Sequence, residues 1–578
     1  MSESKLRLSV KEIFNSSPLF VLTRHFFRRL FLNETVFFEE QMMSKVIGIM
    51  AILSIFPAYV ADSLLFLYLL FPERGTAWAE TALFTTIIML FVGLITLFVW
   101  EVIFPDRRDY LNLMVLPLRP LKIFSAKFLS LVLFVGLFVA GLNSISSLVF
   151  AIYIGESRAY GILGTAGLLM VHLLVMLAAG SFIFFTLSCI SGLLSILLQG
   201  KIFRRLADIL RFGLIMAHIF ALYFFLIDTK WISHKYQSFQ ALKEAPTAFM
   251  MNFPPLWFTG LYQVLLGYRE PFFEKLMARA LLALAASVGA FFLITLISYS
   301  RYLKKVSPEG AKHLRPSLLR RILEPVLNLT ILRNKISRAI FWFYHSVQFR
   351  SRLHRNRILS YLAVGFGLTM IILVSSGKSF WKNHEGSILS FPLALSFFLL
   401  VGIREASSIP VNFPAGWVFK ISEAPEKWPY FSALRKCVFI FFILPLYLLL
   451  FVFYSSIWNL EAAAVHCLYD LALAILLMEA LFFQQKKFPF VCSYVPGKSK
   501  MHVLWLVYLA SFLAYIYLPR WVEPELLARP GLLIYLYLVL FLLLLGLNLY
   551  YRLRFYRKND IIYEDQPEIS PVELLHSV

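Results

Sequence analysis

The sequence predicts an all-α polytopic membrane protein with about twelve transmembrane helices, arranged as two six-helix halves. Three observations support this fold class: many long apolar runs, few charged residues, and positive charge placed in alternate gaps. Of the 578 residues, 60% are hydrophobic and only 15% are charged, whereas soluble proteins average about 25% charged residues. An apolar run of about 20 residues crosses a bilayer only as a helix, because a helix hydrogen-bonds its own backbone.

The apolar runs form two groups of six, separated by a long polar gap. The first group lies at 46–70, 81–104, 128–154, 161–190, 208–227 and 279–300, and the second at 358–375, 387–403, 436–456, 462–484, 501–518 and 530–550. The run from 160 to 199 is about twice the length that a bilayer requires. It predicts one span followed by a half-helix, with a break near Ser191 and Gly192.

The net charge of +22 is concentrated in every second gap between the runs. The gap 301–357 holds fourteen Lys and Arg residues against Glu309 and Glu324, a net of +12, whereas the gap 228–275 holds five basic and four acidic residues. Because Lys and Arg accumulate in cytoplasmic loops, the pattern predicts a multi-pass protein of the cytoplasmic (inner) membrane with both termini in the cytoplasm. This topology accounts for the basic composition, so we expect no nucleic-acid partner.

The two halves follow one plan, which predicts an internal repeat. Each begins with a basic, aromatic-rich amphipathic stretch, at 21–32 and 331–352, that should lie at the lipid interface. Two spans, a polar cytoplasmic elbow and four further spans follow. The predicted segments are an N-terminal cytoplasmic or interfacial segment at 1–45, a first half at 46–300 with an elbow at 105–127 and an external loop at 228–275, a basic linker at 301–357, a second half at 358–550 with an elbow at 404–436, and a cytoplasmic tail at 551–578. In the external loop, Pro254 and Pro255 predict the start of a short helix that dips into the bilayer.

The two elbows carry the most distinctive residues. The first contains an acidic–basic start, a Leu-Pro with basic residues after it, and a final Lys: Asp106, Arg107, Arg108, Leu116, Pro117, Arg119, Lys122 and Lys127. The second is a diverged version that contains Trp417, Phe419, Glu423, Arg435 and Lys436. This layout resembles the permease subunits of type-2 ATP-binding cassette (ABC) exporters, which have six spans per unit, an interfacial helix and a cytoplasmic elbow.

The resemblance implies a transport subunit and not an enzyme. Such a permease exports a substrate across the cytoplasmic membrane, driven by a separate soluble ATPase that docks on the elbows. The implied docking residues are Asp106, Arg107, Arg108, Arg119, Lys122, Lys127, Trp417, Glu423, Arg435 and Lys436. The alternative interpretation of the basic residues is that they only set topology or contact lipid headgroups.

The chain lacks a recognisable phosphate-binding loop. Gly377-Lys378-Ser379 and Gly497-Lys498-Ser499 have Ile372 and Cys492 where the first glycine of that motif belongs. We therefore expect no cofactor in this chain and ATP on a partner. The four cysteines form no CxxC pair, so no metal site is predicted.

Ionisable residues inside the spans leave a second function open. Glu479 and His172 are the main candidates, because a charge within lipid is costly and often functional. His218, Asp62, His466 and Asp470 are further members of this set. They would suit a proton- or ion-coupled secondary transporter, although such groups more often pair with a neighbour or reach the interface.

A third possibility is an integral-membrane transferase acting on a lipid-linked donor, with its active site in the external loop. The acids and bases available there are Asp228, His234, Glu244, Glu270 and Glu274. Their spacing matches no motif that we recognise.

Overall fold

The computed structural model has two compact units, Met1–Pro308 (unit one) and Glu309–Val578 (unit two). It describes residues 18–31, 42–70, 78–103, 120–157, 161–197, 200–226, 251–304, 318–375, 386–411, 416–492, 501–558 and 560–563. These residues contain helices and no β-strand, apart from an isolated bridge between Lys487 and Ile562. The described residues do not include Asp106, Arg107, Arg108 and Arg119 of the first elbow, or Asp228, His234 and Glu244 of the external loop.

Long helices dominate unit one. They are α1 (Pro18–Phe31), α2 (Met42–Leu70), α3 (Trp78–Ile103), α4 (Pro120–Ser157), α5 (Ile162–Leu197), α6 (Gly200–Leu226), α7 (Pro254–Leu265) and α8 (Pro271–Lys304). Small residues let these helices approach closely, as lipid-embedded helices require. A Cβ added to Gly180 of α5, for example, would lie 2.7 Å from Val139 of α4.

Helix α7 starts at Pro254-Pro255, as the sequence predicted, because proline suits the first turn of a helix. Its buried residues include Phe258 and Tyr262, which belong to the core of unit one. Gly260 faces α8, where an added Cβ would lie 2.9 Å from the carbonyl oxygen of Phe273. The short helix is thus packed tightly against a long one.

Unit two contains a larger number of shorter helices. They are α9 (Leu318–Thr330), α10 (Lys335–Arg350), α11 (Arg352–Ser375), α12 (Phe391–Ser408), α13 (Trp417–Ile421), α14 (Trp428–Val438), α15 (Leu444–Ile457), α16 (Leu460–Leu481), α17 (Met501–Tyr517), α18 (Pro519–Ala528), α19 (Leu532–Tyr550) and α20 (Tyr556–Lys558). Two π-helical turns, Phe439–Ile443 and Tyr551–Phe555, join α14 to α15 and α19 to α20.

Nine helical segments in the described residues are long and apolar enough to cross a membrane, which confirms the predicted fold class. They are Trp78–Trp100, Leu121–Glu156, Ile162–Leu194, Arg205–Phe225, Pro271–Ile297, Ile388–Ser408, Trp428–Ile457, Leu460–Leu481 and Leu532–Phe555. The remaining three predicted spans fall on α2, α11 and α17, which are not among the nine. The total of twelve therefore stays a prediction.

The expected break near Ser191 and Gly192 is wrong, because α5 runs without interruption from Ile162 to Leu197. At 1.5 Å per residue, its 36 residues extend about 54 Å, well beyond a hydrocarbon core of about 30 Å. One buried polar side chain of this helix, Ser188, is satisfied within it, since Ser188 Oγ donates to the carbonyl oxygen of Phe184 at 2.7 Å.

Candidate functional site

The second elbow, residues 404–436, is described except for 412–415. It leaves α12 at Ser408, forms the short helix α13 and continues into α14. Phe419 anchors α13, because its ring centroid lies 4.9 Å from the ring of Phe343 on α10 and 4.9 Å from that of Phe488. The elbow thus rests on α10, which covers most of the amphipathic stretch predicted at 331–352.

Hydrogen bonds tie α10 to both ends of the elbow. Asn334 caps the helix by accepting a bond from the backbone N–H of Ile336. Near the other end of α10, the buried hydroxyl of Tyr344 lies 2.5 Å from Ser407 Oγ at the end of α12, and burial raises the pKa of Tyr344. Ser337 Oγ donates to the carbonyl oxygen of Pro429 at the start of α14, at 3.2 Å.

A loop after α16 completes the support of the elbow. The backbone N–H of Phe490 donates to the carbonyl oxygen of Ser407 at 3.1 Å, and that of Val411 donates to the carbonyl oxygen of Phe490 at 3.0 Å. The loop also pairs with the C-terminal segment, since the N–H of Ile562 donates to the carbonyl oxygen of Lys486 at 2.9 Å. The end of α12, the loop after α16 and the C-terminal segment therefore meet at the elbow.

Arg435 lies inside this assembly and not on its surface. Its Nε is 3.1 Å from Glu479 Oε2 on α16, and one of its NH2 groups donates to the carbonyl oxygen of Phe482 at 3.0 Å. The guanidinium also stacks near two rings, 4.7 Å from the centroid of Tyr551 and 5.4 Å from that of Trp428. A buried charge needs such partners, so the geometry gives Arg435 a positioning role rather than direct contact with another protein.

The same contact changes the interpretation of Glu479. The sequence offered it as a lone acid within a span, suited to a proton path. In the structure it is 13% exposed and is the anion of an ion pair with Arg435. This arrangement matches the alternative stated for such groups, namely pairing with a neighbour.

The other described elbow residues lie nearer the surface. Lys436 Nζ donates to the carbonyl oxygen of Ile331, just after α9, at 3.2 Å. Lys427 lies 3.7 Å from Glu423 and also contacts Asp560, and its hydrogen bond to Asp560 raises the pKa of Lys427. Each of these two lysines therefore has a partner within unit two.

Helix α13 presents an apolar surface away from its anchor. Trp417, Val418 and Ile421 are 62%, 46% and 76% exposed, and we call these three residues the elbow patch. At 100° per residue the three side chains fall on one side of the helix, and Phe419 falls opposite. Exposed apolar clusters bordered by polar residues often mark interaction sites. Trp417 was among the predicted docking residues, whereas Val418 and Ile421 were not, although the apolar pattern of the WVFKI segment could have indicated them.

The described part of the first elbow has a related arrangement. Lys122 and Lys127 lie within the first eight residues of α4, just as Arg435 and Lys436 lie within α14, the helix that follows the second elbow. Lys127 Nζ is 5.5 Å from the ring centroid of Phe26 on the amphipathic helix α1. In each unit, therefore, the amphipathic helix packs on the helix that follows the elbow.

His172, the second intramembrane candidate, lies in an aromatic environment. Its ring centroid is 4.1 Å from that of Phe150, 5.4 Å from that of Phe84 and 5.6 Å from that of Tyr262. The side chain is fully buried, and neither ring nitrogen has a hydrogen-bond partner among the described residues. This packing suits an uncharged core histidine.

Glu523, which was not among the predicted site residues, lies beside His466 and Asp470. The spacing of the last two, four residues apart on one helix face, was visible in the sequence. Glu523 lies on α18, in the gap between the spans predicted at 501–518 and 530–550, and no local signal pointed to it. Comparison with protein-family models, curated proteins and solved structures finds no match to this chain.

Proposed function

We propose that this chain is the membrane permease of an ABC-type exporter, driven by a separate cytoplasmic ATPase that docks on its elbows. The observation that carries the proposal is the elbow patch, Trp417, Val418 and Ile421, exposed on a helix that is firmly attached to the spans. An all-α chain without a phosphate-binding loop needs an external source of energy if it pumps a substrate. The elbow supplies a surface on which that source can act.

The composition of the elbow patch suits a protein partner. The centre of a protein interface is enriched in aromatic and aliphatic residues, whereas its rim is polar. Trp417 and Ile421 would form the centre, and Lys420 and Glu423 lie beside them in the chain. Trp is also among the residues that most often contribute a large share of binding energy.

The attachment of the elbow explains how docking could drive transport. A ligand shifts a conformational equilibrium only through contacts that differ between two states. A force on α13 passes through Phe419 to α10, which holds both Ser407 of α12 and Pro429 of α14. Movement of the docked ATPase would therefore move two spans together.

Site-specific photo-crosslinking can identify the partner. A photoreactive amino acid placed at Val418 in native membranes should crosslink to a soluble ATPase with a phosphate-binding loop, recognised by mass spectrometry. Trp417→Ala should weaken association with that ATPase about 30-fold, the effect of removing a residue worth about 2 kcal/mol. Trp521→Ala is the matched control, because Trp521 is 84% exposed on α18, outside the elbow.

Two results would contradict the proposal. If the crosslinker at Val418 reacts only with lipid, the elbow patch is a membrane anchor. If Trp417→Ala and Trp521→Ala weaken association equally, binding does not depend on the elbow. Arg435 is unsuitable as a probe of docking, because its substitution would disturb the interior of unit two.

A further inference from the structure

Three ionisable side chains meet in the interior of unit two, near the N-terminal end of α16. His466 and Asp470 lie one turn apart on α16, and Glu523 reaches them from the short helix α18. All three side chains are completely buried. His466 Nδ1 is in close contact with Glu523 Oε1, and His466 Nε2 is 3.6 Å from Asp470 Oδ2.

Most of the polar atoms in this cluster lack partners. Both carboxylate oxygens of Asp470, Oε2 of Glu523 and Nε2 of His466 have no hydrogen-bond partner among the described residues. No Lys or Arg in the described part of the chain forms an ion pair with either carboxylate. A buried carboxylate without a donor or a cation is costly. A neutral imidazole with two carboxylates carries a charge of −2, which one divalent cation would neutralise.

The spacing of the donor atoms suits a shared ion. One ligand atom from each residue can be chosen so that all three lie within 4.8 Å of one another. Two ligands at about 2.0–2.1 Å from a tetrahedral ion lie about 3.3 Å apart, close to the 3.6 Å between His466 Nε2 and Asp470 Oδ2. That distance is too long for a hydrogen bond. The other ring nitrogen of His466 is in contact with Glu523 Oε1, so the unpartnered Oε2 of Glu523 is the oxygen left to bind the ion.

Aromatic residues hold the imidazole in place. The ring centroid of His466 is 4.4 Å from that of Tyr454 and 5.3 Å from that of Trp458. The hydroxyl of Tyr447 donates to the backbone carbonyl oxygen of Asp470 at 3.0 Å, which fixes this turn of α16. The cluster is therefore held in one arrangement by side chains that are not themselves ligands.

We propose that His466, Asp470 and Glu523 bind one divalent transition-metal ion of the Zn²⁺ or Mn²⁺ type. One imidazole with two carboxylates favours these ions, whereas Mg²⁺ and Ca²⁺ prefer oxygen ligands alone. The ion would fasten α18, the connection between α17 and α19, to α16. The proposal is independent of the transport function, because it concerns only the interior of unit two.

The metal content of the purified protein tests this site directly. The full-length chain, purified in detergent without added metal or chelator, should contain about one Zn or Mn ion per chain, measured by inductively coupled plasma mass spectrometry. Asp470→Asn and Glu523→Gln should each lower the affinity for Zn²⁺ by at least about tenfold. Glu461→Gln and Glu525→Gln are matched controls on α16 and α18, since both residues are exposed, and they should retain the ion.

A second measurement uses the unaltered chain, in case a substituted one does not fold. Removal of metal with a chelator should lower the Tm by a few degrees, and addition of Zn²⁺ or Mn²⁺, but not Mg²⁺, should restore it. The proposal is overturned if the purified chain holds no metal and neither ion changes its Tm, because the three groups would then share protons. It is also overturned if Asp470→Asn and Glu523→Gln keep the same metal content and affinity as Glu525→Gln, because the ion would then be adventitious or bound elsewhere.

Discussion

Removal of either charge from the Arg435–Glu479 pair should strongly destabilise unit two. Glu479→Gln leaves a guanidinium without its anion, and Arg435→Met leaves a carboxylate without its cation. The two side chains are 7% and 13% exposed, so water can compensate little of the loss. Breaking a buried ion pair costs about 3–5 kcal/mol. At about 2 °C or more per kcal/mol for a large domain, we expect each single substitution to lower the Tm by about 6 °C or more.

Thermal unfolding of the full chain in detergent, followed by tryptophan fluorescence, measures the effect. The double substitution should be more stable than either single one, because it leaves no unpaired charge. Glu461→Gln, at an exposed position of α16, should change the Tm little. A Tm for Glu479→Gln equal to that of the unaltered chain would contradict this prediction, and so would simple addition of the losses of the two single substitutions. Loss of transport without any change in Tm would instead support Glu479 as a proton carrier.

Three further outcomes follow from the packing. Gly260→Ala should cost about 1–3 kcal/mol, read as a lower Tm, because its Cβ would meet the backbone of α8; Gly289→Ala on α8, where a Cβ meets nothing within 4 Å, should be tolerated. Burial lowers the pKa of His354, whose ring nitrogens contact Ser351 Oγ and the carbonyl oxygen of Ile409. As the pH falls, the unfolded chain therefore protonates His354 before the folded chain does, so the contribution of neutral His354 to the free energy of unfolding should be complete above about pH 6.5 and fall below it. In His354→Gln the Tm should therefore fall less between pH 7 and pH 5 than in the unaltered chain. The same fall in Tm for both chains would contradict this prediction. Phe419→Ala should release α13 and speed tryptic cleavage after Lys420, seen on gels, whereas Trp417→Ala should not, because only Phe419 packs inward.

Much of the fold was accessible from the sequence because lipid leaves the backbone few choices. A long apolar run must become a helix, so the runs at 128–154 and 462–484 predicted α4 and α16. The proline pair at 254–255 predicted the first turn of α7 for the same local reason. The same constraint explains the wrong break near Ser191: within an apolar environment, a continuous helix keeps every backbone hydrogen bond.

The contacts within the candidate sites were not accessible in this way. Arg435 and Glu479 lie on different helices, and their meeting depends on how α14 and α16 rotate against one another. Periodicity places a residue on a helix face but does not say which helix that face meets. Glu523 illustrates the limit most clearly, since His466 and Asp470 were named among the ionisable residues of the spans, whereas Glu523 lay in a short connection between two spans.

The two π-helical turns lie on either side of Arg435, and a change in one of them would rotate the helix beyond it. Phe439–Ile443 follows Arg435 by one turn along the same helix, and Tyr551–Phe555 contributes the ring that stacks on its guanidinium. A π turn holds one more residue than an α turn, and such turns recur at functional positions in helices. Converting Phe439–Ile443 to α-helix would twist α15 by about 100° relative to α14 and advance it by about 1.5 Å. Such a conversion would turn α15 about the helix axis while α14 stays fixed through Arg435.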